Sequence, residues 1–203
     1  MLDPEEFVAQ CRQALRESDP RAAVREVVAQ VVSRPGALPE SIRKAEGPLA
    51  PWLQSPELTV QCISWPNGVA TPPHEHRMWA VVGVLEGQED NELWRRTPNG
   101  LERAGGSSVA AGETILLGAD AIHAVSNPCR FSTIGLHVYG GDLMATPRSE
   151  WDFDGGNEHP FDLAAVRRFI DAVKERARER GRALDFDEVR QACYELYGAE
   201  VLR

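Results

Sequence analysis

The sequence has no long apolar segment and no excess of basic residues, and each absence removes a class of partner. No apolar run approaches the roughly 20 residues that a membrane-spanning helix needs. The chain holds 22 lysines and arginines against 31 aspartates and glutamates, a formal net charge of -9. That balance disfavours nucleic acid or an anionic membrane surface as the main partner. We therefore expect neither of these to bind.

The sequence also lacks a secretory signal and a CxxC pair. The first residues, MLDPEEFVAQ, are acidic and do not show the basic-then-apolar order of a signal peptide. A cytoplasmic location is therefore the expectation. The cysteines are widely scattered and predict small buried residues rather than zinc ligands. They are Cys11, Cys62, Cys129 and Cys193.

The chain divides into a helical block, a β block and a second helical block. Asp3-Pro4 and Asp19-Pro20 are typical helix starts, because aspartate caps the first turn and proline fits its first position. After Pro160 a helical apolar stripe returns and is expected to end near Gly181. These signals predict helices at both ends of the chain.

The middle of the chain shows the alternation of short strands. From about Glu57 to Tyr139, apolar and polar residues alternate and glycine, proline and asparagine mark frequent turns. This pattern predicts an antiparallel sandwich or barrel. With 203 residues we expect a single domain of mainly β structure. Its parts are a helical N-terminal segment (1–50), a β-barrel (57–145) and C-terminal helices (160–203).

His74 and His76 are candidate metal ligands. Side chains two apart on a strand share a face, so both imidazoles can converge on one ion while Glu75 points the other way. An isolated pair of this kind also occurs on ordinary strands. Gly68, six positions before His74, and Gly87 after it mark turns that bound the segment.

A second segment, AGETILLGADAIHAVSN, contains Gly112, His123 and Asn127. The two segments together, Gly-x5-His-x-His and then Gly-x10-His-x3-Asn, resemble the two-motif pattern of the cupins. The resemblance implies a double-stranded β-helix, or jelly-roll barrel, in which the two motifs lie on neighbouring strands. In that arrangement His123 joins His74 and His76 as a third metal ligand.

One feature of the pattern is missing. Cupins commonly carry a glutamate ligand a few residues after the histidine pair, but RMWAV, residues 77–81, has no carboxylate. The predicted site has three neutral ligands, so a divalent ion would keep its full charge, leave about three open positions and attract anions, thiolates in particular. Nitrogen ligands suit iron, zinc, copper or nickel, so the residues alone do not choose the metal.

His137 and Tyr139 form a second pair on one strand face. An imidazole can orient a phenol that hydrogen-bonds a substrate or a metal-bound group. The alternative is a strand-end tyrosine packed against its neighbour. With HEHRMWAVVGVLEG, IHAVSN and GLHVYG in this order, the sequence resembles the thiol dioxygenases of the cysteine dioxygenase type, nearest to the bacterial branch that includes 3-mercaptopropionate dioxygenases.

The resemblance implies one Fe(II) per chain and O2 as co-substrate. His74, His76 and His123 would bind the iron, and Tyr139, oriented by His137, would contact the substrate. Both oxygen atoms would be added to the sulfur of a small thiol, giving a sulfinate. Bacterial members hold the substrate carboxylate with an arginine after the His-x-Tyr strand, and Arg148 is the matching candidate; the alternative for Arg148 is a surface loop residue.

Two departures from the family pattern concern the surroundings of Tyr139 and His137 rather than the metal ligands. Animal members cross-link the tyrosine to a cysteine on the first-motif strand, where this chain has Ala80 or Val81. The family's Ser-His-Tyr triad has Gly135 in place of the serine, so support for His137 is expected from water, Ser132 or Thr133.

Other residues are weaker candidates for the substrate pocket. Met78 would share the metal-facing side of its strand with Ala80 and wall the pocket. Glu89-Asp90-Asn91 is interpreted as a polar connection before a strand that carries Arg95 and Arg96. One of these two arginines is expected to point inward and contact an anion, or to form a salt bridge at the barrel mouth.

Three functions follow from these patterns, and thiol dioxygenase is preferred. A cupin that cleaves carbon–carbon bonds with O2, as diketone dioxygenases do, also uses three histidines. A non-enzymatic cupin could bind a metal or small ligand as a sensor. The thiol stays open between cysteine, 3-mercaptopropionate, mercaptosuccinate and a thione such as ergothioneine, and so does the oligomeric state.

Overall fold

The computed structural model describes residues 2–34, 42, 47–48, 51–182, 184–185, 187–189, 191–193 and 195. The end of the predicted N-terminal segment and the extreme C-terminus lie largely outside these residues. The division into one domain with the boundaries given above stays a prediction. Within the described part of the chain, no helix is long and apolar enough to cross a membrane.

Helices flank the β region at both ends, as the cap signals predict. They are α1 (Pro4–Ala14), α2 (Pro20–Val32) and α3 (Leu163–Glu179). Asp3 accepts the amide of Glu5 at 2.9 Å and Asp19 accepts the amide of Ala22 at 3.2 Å, so each aspartate caps its helix. After α3 the chain turns at Gly181, whose φ of +63° lies in the left-handed region that favours glycine.

The β region forms two antiparallel six-stranded sheets. Sheet A contains β1 (Gly47–Pro48), β2 (Leu53–Gln54), β3 (Thr59–Trp65), β5 (Ala80–Glu86), β8 (Thr114–Leu117) and β10 (Thr133–Tyr139). Sheet B contains β4 (His74–Glu75), β6 (Gln88–Thr97), β7 (Gly100–Ala110), β9 (Ile122–Ser126), β11 (Ser149–Trp151) and β12 (Glu158–Pro160).

The strand order is that of a jelly roll. Sheet A runs β3-β10-β5-β8 and sheet B runs β4-β9-β6-β7, with short strands added at their edges. The chain therefore passes repeatedly between the sheets, and strands distant in sequence become neighbours. The predicted fold class, a mainly β double-stranded β-helix with helices at both ends, is confirmed by this topology.

Sheet A directs its apolar residues outward and its polar residues into the barrel. Val60 and Cys62 of β3, and Leu136 and Val138 of β10, are buried in one core with Phe7 of α1 and Val24 and Val28 of α2. On the alternate positions, Gln61 and His137 face the interior between the sheets and are also buried. The helices α1 and α2 thus cover the outer face of sheet A, and the chemistry-bearing side chains converge inside.

The C-terminal helix packs elsewhere. Val166 and Val173 of α3 share a second apolar cluster with Val69, which follows β3, and with Val189 near the end of the described chain. Phe161, just before α3, packs against the same cluster and also approaches the barrel interior. This junction places the segment around α3 beside one end of the barrel.

Candidate metal centre

Three histidines meet inside the barrel: His74 on β4, His76 just after β4, and His123 on the neighbouring strand β9. β4 and β9 pair with His74 directly opposite His123, and His76 follows two residues later on the same face as His74. The possible ligand atoms of the three imidazoles all lie within 4.8 Å of one another. Nε2 of His76 is 3.3 Å from Nε2 of His123, as for two nitrogens bound about 2.1 Å from one ion. The structure therefore brings the predicted ligand set together.

Hydrogen bonds to the outer nitrogens orient two of these rings. Nδ1 of His74 donates to the carbonyl oxygen of Pro72 at 3.0 Å, and Nδ1 of His123 donates to Oδ1 of Asn91 at 2.9 Å. Because each Nδ1 faces an acceptor oxygen, the ring hydrogen lies on Nδ1 and the lone pair remains on Nε2. Both Nε2 atoms are thus prepared to bind a metal ion.

The environment keeps the three histidines neutral. Burial lowers the pKa of His74 to about 4, and the hydrogen bond to Pro72 only partly opposes this. Burial, and then the neighbouring histidines, hold the pKa of His76 and of His123 well below the usual range. A metal ion has no proton to displace at neutral pH, so the donor set fits a divalent cation that prefers nitrogen ligands.

Glu75 points to the opposite face, as predicted, and ties the strands together outside the barrel. Its carboxylate accepts hydrogen bonds from Nε of Arg77 at 2.7 Å and from a guanidinium nitrogen of Arg96 at 3.1 Å. The Arg96 guanidinium lies 4.7 Å from the ring centroid of Trp151 and pairs with Glu158 as well. Glu75 is therefore not available as a fourth ligand.

The expectation that Arg95 or Arg96 points inward is wrong. Arg96 is held in the outer network around Glu75, and Arg95 pairs with Glu102 with 70% of its side chain exposed. Both arginines belong to β6, which runs on beyond its pairing with β9; that pairing ends at Trp94. Neither arginine is brought to the histidines.

Tyr139 and His137 lie on the inner face of β10, across the barrel from the histidines. The ring of Tyr139 is 4.9 Å from the ring of His76, in an edge-to-face arrangement, and its hydroxyl is 3.3 Å from Nδ1 of His137. Burial raises the pKa of Tyr139 well above the usual range, and the Gln61 side chain only partly opposes this. The phenol is thus neutral and held beside the candidate metal ligands.

Ala80 faces Tyr139 directly, because the two residues are cross-strand partners on β5 and β10. Val81, the other residue considered for this position, points outward into the core beneath the helices. A methyl group therefore occupies the space beside the phenol, and no thioether cross-link to Tyr139 can form there.

Two inward-facing residues of β6 were missed by the sequence interpretation. The sequence interpretation places Glu89 and Asn91 in a loop, but both are strand residues of β6. Both pair with β7, and Asn91 also pairs with β9. Asn91 holds His123, and Oε1 of Glu89 accepts from Nε2 of His137 at 3.1 Å. The expected support for His137 from Ser132 or Thr133 is thus replaced by a carboxylate. The two-residue spacing of Glu89 and Asn91 is the signal that could have revealed them.

Arg148 lies near the site, immediately before the short strand β11. One guanidinium nitrogen donates to the carbonyl of Leu143 at 2.6 Å, and the guanidinium lies 3.9 Å from the ring centroid of Phe161. That ring is in turn 5.9 Å from the ring of His74. Nε of Arg148 is buried with no hydrogen-bond partner among the described residues. The guanidinium is not the exposed loop group of the alternative interpretation.

An apolar wall completes the interior. Met78, Ala80, Leu117 and Leu143 cluster with the ring of Tyr139.

Glu150 is the cross-strand partner of His74, so its side chain leaves the sheet on the same face. Burial raises the pKa of Glu150 to about 7.

No protein-family model matches this chain. Among solved structures, it is similar to a double-stranded β-helix RmlC-like cupin from Methanocaldococcus jannaschii, with 13% identity, 50% of this chain and 86% of the other covered, and a TM-score of 0.42. A cupin superfamily protein from Desulfitobacterium hafniense has 16% identity over 52% of this chain and 90% of its own, with a TM-score of 0.41. An oxalate oxidase has 14% identity, with 70% of this chain and 64% of the other covered, and a TM-score of 0.38. These likenesses are too distant to carry an argument about activity.

Proposed function

We propose that this protein is a cupin thiol dioxygenase with one Fe(II) bound by His74, His76 and His123. The reaction adds both atoms of O2 to the sulfur of a small thiol, RSH + O2 giving RSO2⁻ and H⁺. The observation that carries the proposal is the arrangement of the three neutral histidines with Tyr139 and its partner His137 beside them.

The neutral ligand set favours an anionic substrate. Three imidazoles leave the charge of a divalent ion uncompensated, and Glu75 is held outside the barrel by Arg77 and Arg96. A thiolate supplies the missing negative charge and is a soft ligand suited to iron. Bound iron would supply the one-electron chemistry that O2 needs to react with sulfur.

The remaining residues orient the substrate. The Arg148 guanidinium is half-buried, and its Nε has no hydrogen-bond partner among the described residues; it suits a carboxylate, because an arginine fork matches two carboxylate oxygens. The Tyr139 hydroxyl, whose hydrogen is directed to His137, lies beside the candidate metal ligands, where its oxygen can accept a hydrogen bond from a substrate donor such as the ammonium group of cysteine; Met78 and Leu143 exclude water around it. The substrate class is therefore a short thiol with a carboxylate, such as cysteine or 3-mercaptopropionate.

The test is oxygen consumption by the iron-loaded protein with a panel of thiols, combined with detection of the sulfinate product. Cysteine, 3-mercaptopropionate, mercaptosuccinate and ergothioneine form the panel, and a β-diketone is the control substrate. We expect one mole of O2 per mole of sulfinate. Oxygen use with the diketone alone would instead establish carbon–carbon cleavage, and tight zinc binding with no oxygen use under any condition would favour a non-enzymatic cupin.

A further inference from the structure

Glu89 is a buried carboxylate that the proposed reaction does not itself require. Its side chain is wholly buried. Its Oε1 accepts hydrogen bonds from Nε1 of Trp65 and from Nε2 of His137, each with a donor–acceptor distance of 3.1 Å. Its other oxygen, Oε2, has no hydrogen-bond partner in the part of the chain that the structure describes. Burying a carboxylate is unfavourable, so its presence at this point needs a reason.

Gly135 provides the space that this carboxylate occupies. A Cβ atom at position 135 would lie 2.8 Å from Oε1 of Glu89 and 3.0 Å from Nε2 of His137. The first distance is shorter than real Cβ atoms show, so any side chain there would displace the carboxylate or the imidazole. Glu89 and Gly135 are thus a matched pair on facing strands of the two sheets.

The carboxylate also determines which nitrogen of His137 carries the hydrogen, and therefore whether Nδ1 accepts a hydrogen bond from Tyr139. Nε1 of Trp65 can only donate, so Oε1 of Glu89 serves as an acceptor, and the hydrogen of the imidazole lies on Nε2, toward Glu89. Nδ1 then carries a lone pair 3.3 Å from the phenolic hydroxyl, which donates to it. The hydrogen bonds therefore run in one direction, from Tyr139 through His137 to Glu89.

We infer that Glu89 is a positioning residue that sets the direction of this chain and so fixes the orientation of the Tyr139 hydroxyl at the candidate metal centre. The inferred effect on rate rests on the proposed function, whereas the effect on the tautomer of His137 does not. Without the carboxylate, His137 can carry its hydrogen on either nitrogen, and the hydroxyl of Tyr139 loses its fixed direction.

The kinetic test compares Glu89→Leu with Glu89→Gln in the iron-loaded full chain. Leucine removes the acceptor, and we expect a loss in kcat of about 10- to 100-fold with KM and iron content unchanged. Glutamine keeps an acceptor oxygen and should recover most of the rate. Glu92→Leu, on the outer face of the same strand, is the control that should leave kcat unaltered. Unchanged kcat in Glu89→Leu would overturn the inference.

Two double variants separate positioning from a general structural effect. In a Tyr139→Phe background, Glu89→Leu should cause no further loss, because the group through which Glu89 acts is already absent. As a single change Gly135→Ala should lower kcat, but it should cost less in a Glu89→Ala background, where the carboxylate that its methyl group would displace is absent. Full additivity in both pairs contradicts the inference.

A readout without turnover distinguishes this inference from the function proposed above. In the full chain loaded with diamagnetic Zn²⁺, ¹⁵N-edited NMR of the histidine rings should show His137 as the Nε2–H tautomer. Glu89→Leu should shift these signals toward a mixture of tautomers, whereas Glu92→Leu should not. If His137 keeps one tautomer in Glu89→Leu, the inference fails, whatever substrate the protein uses.

Discussion

Oδ1 of Asn91 lies 2.9 Å from Nδ1 of His123, and this contact determines which nitrogen of His123 can bind a metal ion. The nitrogen of the Asn91 side-chain amide, Nδ2, is buried and has no hydrogen-bond partner among the described residues. Only the acceptor oxygen of the amide is therefore used, and its use is to hold one imidazole.

Asn91→Leu should weaken metal binding by about 10- to 100-fold, because His123 loses the acceptor that orients it. Asn91→Asp keeps an acceptor in the same place and should preserve affinity. Competition with a chromophoric chelator measures both. Equal affinity in the leucine variant and the parent protein would show that the contact has no effect on the metal.

His123→Ala should abolish stoichiometric metal binding, because it removes one of three ligands and leaves Asn91 without its donor. His159→Ala is the matched control, since His159 pairs with Asp152 at 2.9 Å and belongs to no cluster of possible ligands among the described residues. Metal content by mass spectrometry should fall only in the first variant. Retention of iron in His123→Ala would exclude this residue as a ligand.

Tyr139→Phe should keep iron and lower kcat by about 100-fold, the scale of one positioned hydrogen-bonding group. The phenyl ring preserves the packing against His76 and Leu143, so the unfolding midpoint should change little. Steady-state oxygen electrode measurements give the rate. A variant as fast as the parent would remove Tyr139 from the mechanism.

Arg148→Met should raise KM for 3-mercaptopropionate by about 10- to 100-fold, since a charged hydrogen bond to the carboxylate is lost. A thiol without a carboxylate, 2-mercaptoethanol, should react equally with both proteins. Arg95→Met is the control, because Arg95 lies at the surface paired with Glu102. Similar losses for both thiols would indicate a structural effect instead.

Glu150 should make stability depend on pH. Burial raises its pKa from 4.5 to about 7, so the folded chain favours its protonated form. Its contribution to stability is present below about pH 4.5 and is lost as the pH rises through about 7. In metal-free protein, Glu150→Gln should be more stable than the parent by on the order of 1 kcal/mol at pH 8, after discounting for partial exposure.

Urea unfolding at pH 4.5 and pH 8 measures the effect, with the exposed Glu17→Gln as control. The gain should vanish at pH 4.5, where the parent side chain is already protonated in both states. A gain of the same size at both pH values would show that the effect does not come from ionisation of Glu150.

The sequence predicts the helix starts, the barrel and the three-histidine set because each depends on local signals. Aspartate caps, glycine turns and the spacing of His74, His76 and His123 are visible without knowing which strands pair. Glu89 and Asn91 lie in a run of polar residues, QEDNE, that resembles a loop. Their role appears only when β6 is placed against β9, bringing Asn91 to His123, and across the barrel from β10, bringing Glu89 to His137.

Arginine placement could not be predicted for a related reason. Alternation predicts that either Arg95 or Arg96 faces inward, but β6 runs on past Trp94, where its pairing with β9 ends, and Arg95 lies beyond that point with an exposed side chain. Arg148 is brought inward by Phe161 and by the carbonyl of Leu143, contacts that no local pattern encodes.

The inverted polarity of sheet A separates the part of the molecule that holds it together from the part that carries its chemistry. Apolar side chains such as Val60 and Leu136 meet the helices outside the barrel, so much of the hydrophobic stabilisation arises there. The polar interior residues, such as Glu89 and His137, interact mainly with one another and add little to this hydrophobic stabilisation. A chain built in this way can exchange its interior side chains, and with them its substrate, while the helix-covered face continues to specify the fold.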